Sequence, residues 1–171
     1  VLPLKDYFHL DVLSNSFPQK ARWTFPHLTN PWLDKINTEF LAIAPSAAWE
    51  MKRWPISHWH ELLENDQGVQ IVILGGPQDL FCQQLEAIDS KRILNLAGKL
   101  SLIESCFVVS RAKGLISADT GLVHVADILG VKALNLIGPT AFGYTSSQSV
   151  KTMEVNLSCR PCSKDGRGRC S

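Results

Sequence analysis

Ser117-Ala118-Asp119-Thr120-Gly121-Leu122-Val123-His124 joins an apolar run to a helical pattern within a few residues. The acid, hydroxyl and glycine at the junction are also typical of an ordinary helix start, in which Asp119 or Thr120 caps the helix. The first amides of a helix have no partner inside it and carry about half a positive charge, so they form a natural anion site. Gly121 leaves room for a ligand to approach the backbone.

Short apolar runs and amphipathic stretches alternate along the chain from residue 40, which is typical of a parallel sheet with crossover helices. Ser101 and Glu104 have the spacing of a capping box, and Gly130 is a good helix stop. We therefore predict an α/β fold, a Rossmann-like doubly wound parallel sheet, over residues 39–171. The predicted strands are 40–44, 70–74, 93–96, 114–117 and 132–137, and the predicted helices are 57–65, 79–88, 102–112 and 121–129.

Residues 1–38 differ from the rest of the chain. They contain Pro3, Pro18, Pro26 and Pro31 and keep no regular hydrophobic period for long, although aromatic residues are frequent. We interpret them as a connecting arm whose aromatic surface is buried either against the domain behind it or against something absent from the chain.

Composition narrows the classes of partner. The formal net charge is +1, with 17 Lys and Arg against 16 Asp and Glu, which argues against a nucleic-acid partner bound by bulk charge. No apolar run approaches the roughly 20 residues of a membrane span, and from the first residues given we expect no signal peptide. A cytoplasmic protein is the expectation.

Five cysteines form two groups. Cys82 and Cys106 fall in apolar helical segments, where we expect buried, reduced thiols. Cys159, Cys162 and Cys170 allow three readings, namely three ligands of a structural zinc, a disulfide with one cysteine left over, or plain thiols. No other metal site is predicted.

The carboxyl ends of the predicted strands share one rim, where doubly wound sheets bind their ligands. Lys52 and Arg53 follow the first strand there and would neutralise a phosphate, unless they are merely a solvated pair. Trp49 is expected in the core. His124 lies one turn into the helix beside the proposed anion.

Several nucleotide-binding and catalytic classes are disfavoured by the motifs. Neither G-x-G-x-x-G nor G-x-x-x-x-G-K-[ST] occurs, which argues against a nicotinamide cofactor and against a P-loop hydrolase. Asp-Thr-Gly is also the active-site triplet of aspartic proteases, but those enzymes need a β-rich scaffold.

Taken together, seven ordered blocks resemble glycosyltransferase family 9, the family of bacterial lipopolysaccharide heptosyltransferases. They are Pro45-Ser46-Ala47, Lys52-Arg53-Trp54-Pro55, Leu74-Gly75-Gly76-Pro77, residues 95–102, residues 117–126, Gly138-Pro139-Thr140, and the Cys-x-Pro-Cys of residues 159–162.

The resemblance implies the C-terminal half of a GT-B fold, which binds a nucleotide-sugar donor, typically ADP-heptose. The half with the acceptor site and the catalytic base would precede Val1, so no catalytic residue is expected in this chain and the chain alone should be inactive. The acceptor would be the lipopolysaccharide core or another glycan, no cofactor would be required, and the enzyme could sit peripherally on the inner face of the bacterial inner membrane.

The resemblance also implies roles for individual residues. Lys52 would contact the donor phosphates, with Ser46 at the mouth of the pocket. Thr120 and Gly121 would offer amides to the diphosphate, Asp119 would face the sugar, and His124 would lie near the phosphate end. The loop with Gly98, Leu100 and Ser101 would border the adenine.

Two other functions stay open at this point. A sugar-nucleotide epimerase can share the GT-B fold, and it would form an epimer without any acceptor. A noncatalytic nucleotide-binding module would bind the nucleotide and transfer nothing.

Overall fold

In a computed structural model that describes residues 23–65, 68–141, 145 and 147–168, six strands form a single sheet with the order β3-β2-β1-β4-β5-β6. Every neighbouring pair is parallel. The chain therefore builds outward in one direction from β1 and then in the other from β4, as in a Rossmann-like, doubly wound fold. The strands are β1 (Phe40–Ala44), β2 (Gln70–Ile73), β3 (Ile93–Asn95), β4 (Leu115–Ala118), β5 (Ala133–Ile137) and β6 (Val150–Glu154).

The helices connect these strands at the predicted places. They are α1 (Ile56–Asn65), α2 (Cys82–Glu86), α3 (Leu102–Arg111) and α4 (Gly121–Leu129). The capping box at Ser101 and Glu104 is confirmed, and Gly130 ends α4 in the left-handed conformation at φ 64°. The predicted helix 79–88 is shorter than expected, since only residues 82–86 are α-helical.

The sixth strand is the part of the sheet that the sequence did not predict. Val150–Glu154 forms the edge beside β5, and Val150 is its one buried residue. A strand with so little buried surface has a weak hydrophobic pattern, which explains why it was missed.

Apolar side chains pack on both faces of the sheet, as parallel strands require. One cluster joins Phe40 of β1 to Val109 of α3 and Val123 of α4. The other joins Ile43 of β1 to Trp59 of α1 and Leu85 of α2.

Residues 23–38 pack on the first of these clusters. Trp32 and Ile36 contact it, the rings of Phe25 and Phe107 lie 5.4 Å apart, and the side-chain amide of Asn30 donates to the carbonyl oxygen of Lys99 at 3.0 Å. Residues 1–22 of the predicted connecting arm lie outside the described residues, so the role of the arm stays a prediction. Among the helices that the structure describes, none has the length and apolarity needed to span a bilayer.

Candidate functional site

A cavity of about 640 Å³ opens at the carboxyl ends of β1 and β4, where the order of the sheet reverses. This is the position at which doubly wound sheets bind ligands. Loops from three strands and from the C-terminal part of the chain line it, namely Ala48, Trp49, Lys52, Asp119, Thr120, Gly121, Thr140, Lys164 and Asp165. Trp49 lines the cavity with 39% of its surface exposed, so its predicted place in the core was wrong.

Lys52 reaches this cavity from a short 3-10 helix, Glu50–Lys52, that follows β1. Its ammonium nitrogen lies 2.7 Å from Oδ2 of Asp119, with the lysine side chain 18% exposed and the carboxylate 7% exposed. The short helix rests against Gly138 at the end of β5, where a Cβ would lie 2.9 Å from the carbonyl oxygen of Met51. Backbone packing therefore fixes the height of the lysine above the sheet.

The start of α4 also lines the cavity. Thr120 is the N-cap residue but accepts no capping hydrogen bond on its side chain, and its hydroxyl pairs with Ser117 at 3.1 Å. The Asp119 carboxylate pairs with Lys52 and accepts from the Thr140 hydroxyl at 3.4 Å. The predicted side-chain cap was thus wrong, because distant partners engage Asp119 and the nearby Ser117 engages Thr120.

The missing cap leaves the beginning of α4 suited to an anion. Thr120 and Gly121 line the cavity, and a Cβ built on Gly121 would meet nothing within 4 Å. The first helical amides have no partners inside the helix and lie at its positive end. The open space above Gly121 therefore gives an anion access to these amides.

A second cavity of about 720 Å³ continues from the first and shares Ala48, Thr120 and Gly121 with it. Its wall toward α3 and α4 is mostly apolar, while the loop after β2 supplies polar groups. Among its lining residues are Trp23, Ser46, Arg53, Asp79, Leu100, Leu102, Cys106, Leu122 and Val125.

Asp79 organises the polar side of this second cavity. It accepts a hydrogen bond from the Ser46 hydroxyl on Oδ1 and one from the Gly76 amide on Oδ2 at 2.7 Å. Arg53 lies 3.9 Å from Oδ1 of Asp79 and donates to the carbonyl oxygen of Ala47 at 2.9 Å. The expectation that Lys52 and Arg53 face one phosphate is therefore corrected, since the two cations face different cavities.

The thiol of Cys82 lies at the beginning of α2, close to this polar cluster. Burial raises the pKa of Cys82 to about 12, the negative charge of Asp79 adds to the increase, and Arg53 opposes it. The thiol therefore stays protonated at neutral pH and has the character of a core residue.

Three predicted binding residues lie outside the described linings of the two cavities. His124 is exposed on the first turn of α4. Ser101 is engaged in the capping box of α3, where its amide donates to Glu104 at 2.7 Å and its hydroxyl accepts from the Glu104 amide at 3.3 Å. Gly98 donates its amide to the carbonyl oxygen of Gly75 at 3.0 Å. Their contacts with a donor stay predictions.

Lys164 and Asp165 were not predicted as site residues. Both lie in a short loop near the end of the described chain, which returns to the first cavity. The Lys-Asp-Gly-Arg-Gly sequence of residues 164–168 is a turn signal, but it does not show what the turn contacts.

The predicted buried thiols are confirmed, since Cys82 and Cys106 are buried and free. Cys159 and Cys162 are free and exposed, so they form no disulfide with each other, and Cys170 lies outside the described residues. Within the described ranges, no group of three or more metal-ligating side chains is close enough to hold an ion.

Comparison with known proteins identifies a family and several relatives to which this chain is similar. A model of glycosyltransferase family 9 (heptosyltransferase) matches residues 6–171. Lipooligosaccharide heptosyltransferase 2 of Campylobacter jejuni is 27% identical over 143 residues, covering 78% of this chain and 45% of the relative. Lipopolysaccharide heptosyltransferase 2 of Escherichia coli is 31% identical over 113 residues, covering 62% of this chain and 32% of the relative.

A solved structure of the E. coli heptosyltransferase WaaC with ADP is similar at a TM-score of 0.61 and 26% identity. The match covers 71% of this chain and 40% of that one. The chain thus spans between about a third and about a half of the length of these relatives.

Proposed function

The chain belongs to glycosyltransferase family 9, and on this premise we propose that it is the donor-binding half of a heptosyltransferase-like enzyme with ADP-heptose as the donor. The observation that carries the proposal is that Lys52 and the uncapped start of α4 line one cavity at the reversal point of the sheet. A cation and a helix N-terminus that line the same cavity suit a diphosphate. The complex of the similar E. coli protein with ADP makes ADP the probe of choice.

The two joined cavities suit the two parts of a nucleotide. The diphosphate would occupy the first, between Lys52 and Gly121, and the nucleoside would extend into the second. There, Leu100 and Leu122 offer apolar surface to a base. The Ser46 hydroxyl gives its hydrogen to Asp79 and so faces the ligand as an acceptor, which suits a ribose hydroxyl.

The work of this half would be stabilisation of the leaving group. In the proposed reaction an acceptor hydroxyl attacks the anomeric carbon with inversion, a base from the N-terminal half takes its proton, and the nucleoside diphosphate departs. Negative charge grows on the departing phosphate, where Lys52 and the amides of α4 would meet it. A preorganised contact of this kind contributes about 3 kcal/mol to transition-state stabilisation.

Asp119 would support this role by orienting the lysine. An ammonium group has three N–H donors, so a bond to Asp119 leaves two for the ligand. We infer that the chain's own cations neutralise the donor and that no cofactor is needed. ADP binding should then persist in EDTA, and a dependence on added Mg²⁺ would contradict this part of the proposal.

The remaining parts of the proposal concern the whole enzyme. The acceptor would be the lipopolysaccharide core or another glycan, held by the N-terminal half. The reaction would take place in the cytoplasm, where the enzyme could associate peripherally with the inner face of the bacterial inner membrane.

Calorimetric titration with ADP, followed by a transfer assay, tests the function. The 171-residue chain should bind ADP weakly and transfer no sugar, while the chain joined to an N-terminal half should transfer heptose to a core acceptor. Failure to bind ADP would overturn the donor site. Formation of an epimer without acceptor would indicate an epimerase, and binding without transfer by the joined protein would indicate a noncatalytic module.

A further inference from the structure

The loop of residues 163–168, here named the C-terminal loop, is anchored beside the first cavity. The amides of Cys162 and Ser163 donate to the carbonyl oxygen of Pro139 at 3.0 and 3.2 Å, and Thr140 forms a parallel bridge with Ser163. Thr140 also donates a hydrogen bond to Asp119, so the loop is connected through Thr140 to the carboxylate that pairs with Lys52.

The C-terminal loop is ordered by its own polar groups. The Ser163 hydroxyl accepts from the Gly166 amide at 2.9 Å and donates to the carbonyl oxygen of Arg167 at 3.0 Å. Arg167 pairs with Asp165 at 3.1 Å and lies over the ring of Trp49 at 4.7 Å. These contacts hold the loop against the cavity wall.

Gly166 packs directly against the hydrocarbon stem of Lys52. The glycine is buried with φ at 89°, and a Cβ there would lie 2.5 Å from Cγ of Lys52 and 3.3 Å from Cβ of Trp49. Any side chain at 166 would displace the stem, so the absence of one lets Lys52 extend toward Asp119.

The charges that line the cavity also indicate that this loop contributes to anion binding. Of its four charged lining residues, Lys52 pairs with Asp119, and Asp165 pairs with Arg167 of the loop. The fourth, Lys164, is an exposed cation that lines the same cavity. A diphosphate brings more negative charge than Lys52 alone can balance, since Asp119 already offsets that lysine.

We propose that two residues of the C-terminal loop serve the diphosphate site, Gly166 as a positioning residue for Lys52 and Lys164 as a second phosphate-binding cation. The inference rests on the proposed function, because it assigns roles within the same donor site. It adds residues that are distant in sequence from the strand-to-helix junctions at which binding was predicted.

Gly166→Ala and Gly168→Ala form a matched pair for the positioning role. Both glycines have positive φ, at 89° and 112°, so both alanines strain the backbone, but a Cβ at 168 would meet nothing within 4 Å. We expect Gly166→Ala to weaken ADP binding by the full chain about tenfold, a loss of one charged hydrogen bond, and Gly168→Ala to leave it within about twofold.

A double-variant cycle separates positioning from general damage. In a Lys52→Ala background there is no stem to seat, so Gly166→Ala and Gly168→Ala should bind ADP equally. A loss of ADP affinity specific to Gly166→Ala that persists without Lys52 would overturn the positioning role. Thermal melting of both alanine variants checks that their stabilities match.

Lys164→Gln tests the second cation without a folding risk, because the residue is exposed. We expect about tenfold weaker ADP binding, recovery in Lys164→Arg, and no change in Lys151→Gln, an exposed lysine of the edge strand. If the parent chain binds no ADP, the proposed function itself fails. If the parent binds ADP while Gly166→Ala and Lys164→Gln bind it equally well, the proposed function stands and this inference is overturned.

Discussion

The ammonium nitrogen of Lys52 lies 2.7 Å from Oδ2 of Asp119, which joins the loop after β1 to the loop after β4. The two loops belong to the two halves of the doubly wound sheet, so the ion pair bridges the point where strand order reverses. A cation held there before a ligand arrives needs little rearrangement to meet a developing charge. The pair therefore links the fold directly to the proposed chemistry.

Replacing Lys52 with alanine removes the principal cation of the first cavity. In the chain joined to an N-terminal half we expect the turnover number to fall by two or more orders of magnitude. A preorganised contact of this kind contributes about 3 kcal/mol to transition-state stabilisation. Steady-state transfer assays measure the change. Lys132→Ala is the matched control. Lys132 is exposed and directly precedes β5, so it lies at the amino-terminal ends of the strands, away from the cavity at their carboxyl ends. Near-normal rates in Lys52→Ala would remove Lys52 from the role.

Asp119→Asn breaks a mostly buried ion pair, since the two side chains are 7% and 18% exposed. We expect the free energy of unfolding to fall by about 3 kcal/mol, because the lysine is left partly desolvated without its counter-charge. Urea unfolding measures it. Glu39→Gln serves as control, since it breaks the exposed Glu39–Lys113 pair and should cost at most about 0.5 kcal/mol. Equal losses in the two variants would contradict the greater importance assigned to the cavity pair.

The capping box of α3 makes stability depend on pH. The backbone amide of Ser101, and then its hydroxyl, hold the pKa of Glu104 below its usual value. Because the folded pKa is lowered, this stabilisation is present above the unfolded pKa of about 4.3 and is lost as the pH falls through the folded pKa. The difference in unfolding free energy between the parent and Glu104→Gln should therefore shrink from pH 7 to pH 3.

Glu64→Gln, which changes an exposed glutamate of α1, is the matched control for this pH series. A gap between the parent and Glu104→Gln that stays constant over the whole range would show that the carboxylate of Glu104 does not stabilise the helix start.

Thiol reactivity should separate the described cysteines into two classes. Burial raises the pKa of Cys82 to about 12 and also raises that of Cys106, whereas Cys159 and Cys162 are exposed. Since the thiolate is the nucleophile, iodoacetamide at pH 8 should label Cys159 and Cys162 first. Peptide mass spectrometry with and without denaturant measures the labelling. Rapid labelling of Cys82 in the folded chain would contradict its burial.

The parts of the fold that the sequence predicted best have strong local signals. β1 has the bounds that were expected, because a short run buried on both faces has a continuous apolar sequence. The expected bounds of α4 are also confirmed, since a glycine marks each limit of the helix. In contrast, β6 exposes most of its residues at the sheet edge, and its pattern was too weak to detect.

The site was predictable in its location but not in its pairings. Strand order places Lys52 and Asp119 on one rim, yet nothing in their spacing shows that they contact each other. Ser101 illustrates the same limit, because its polar groups are used by a helix cap rather than directed at a cavity. The approach of Lys164 to the cavity depends on tertiary contacts, which a local turn signal does not encode.

The close approach of Gly138 to Met51 has a consequence for protein engineering. With a Cβ at 138 only 2.9 Å from the Met51 carbonyl oxygen, even alanine would lift the turn that carries Lys52. Loop grafts between related enzymes should therefore transplant the end of β5 together with the lysine segment. A graft of either one alone would misplace the cation although every binding residue was retained.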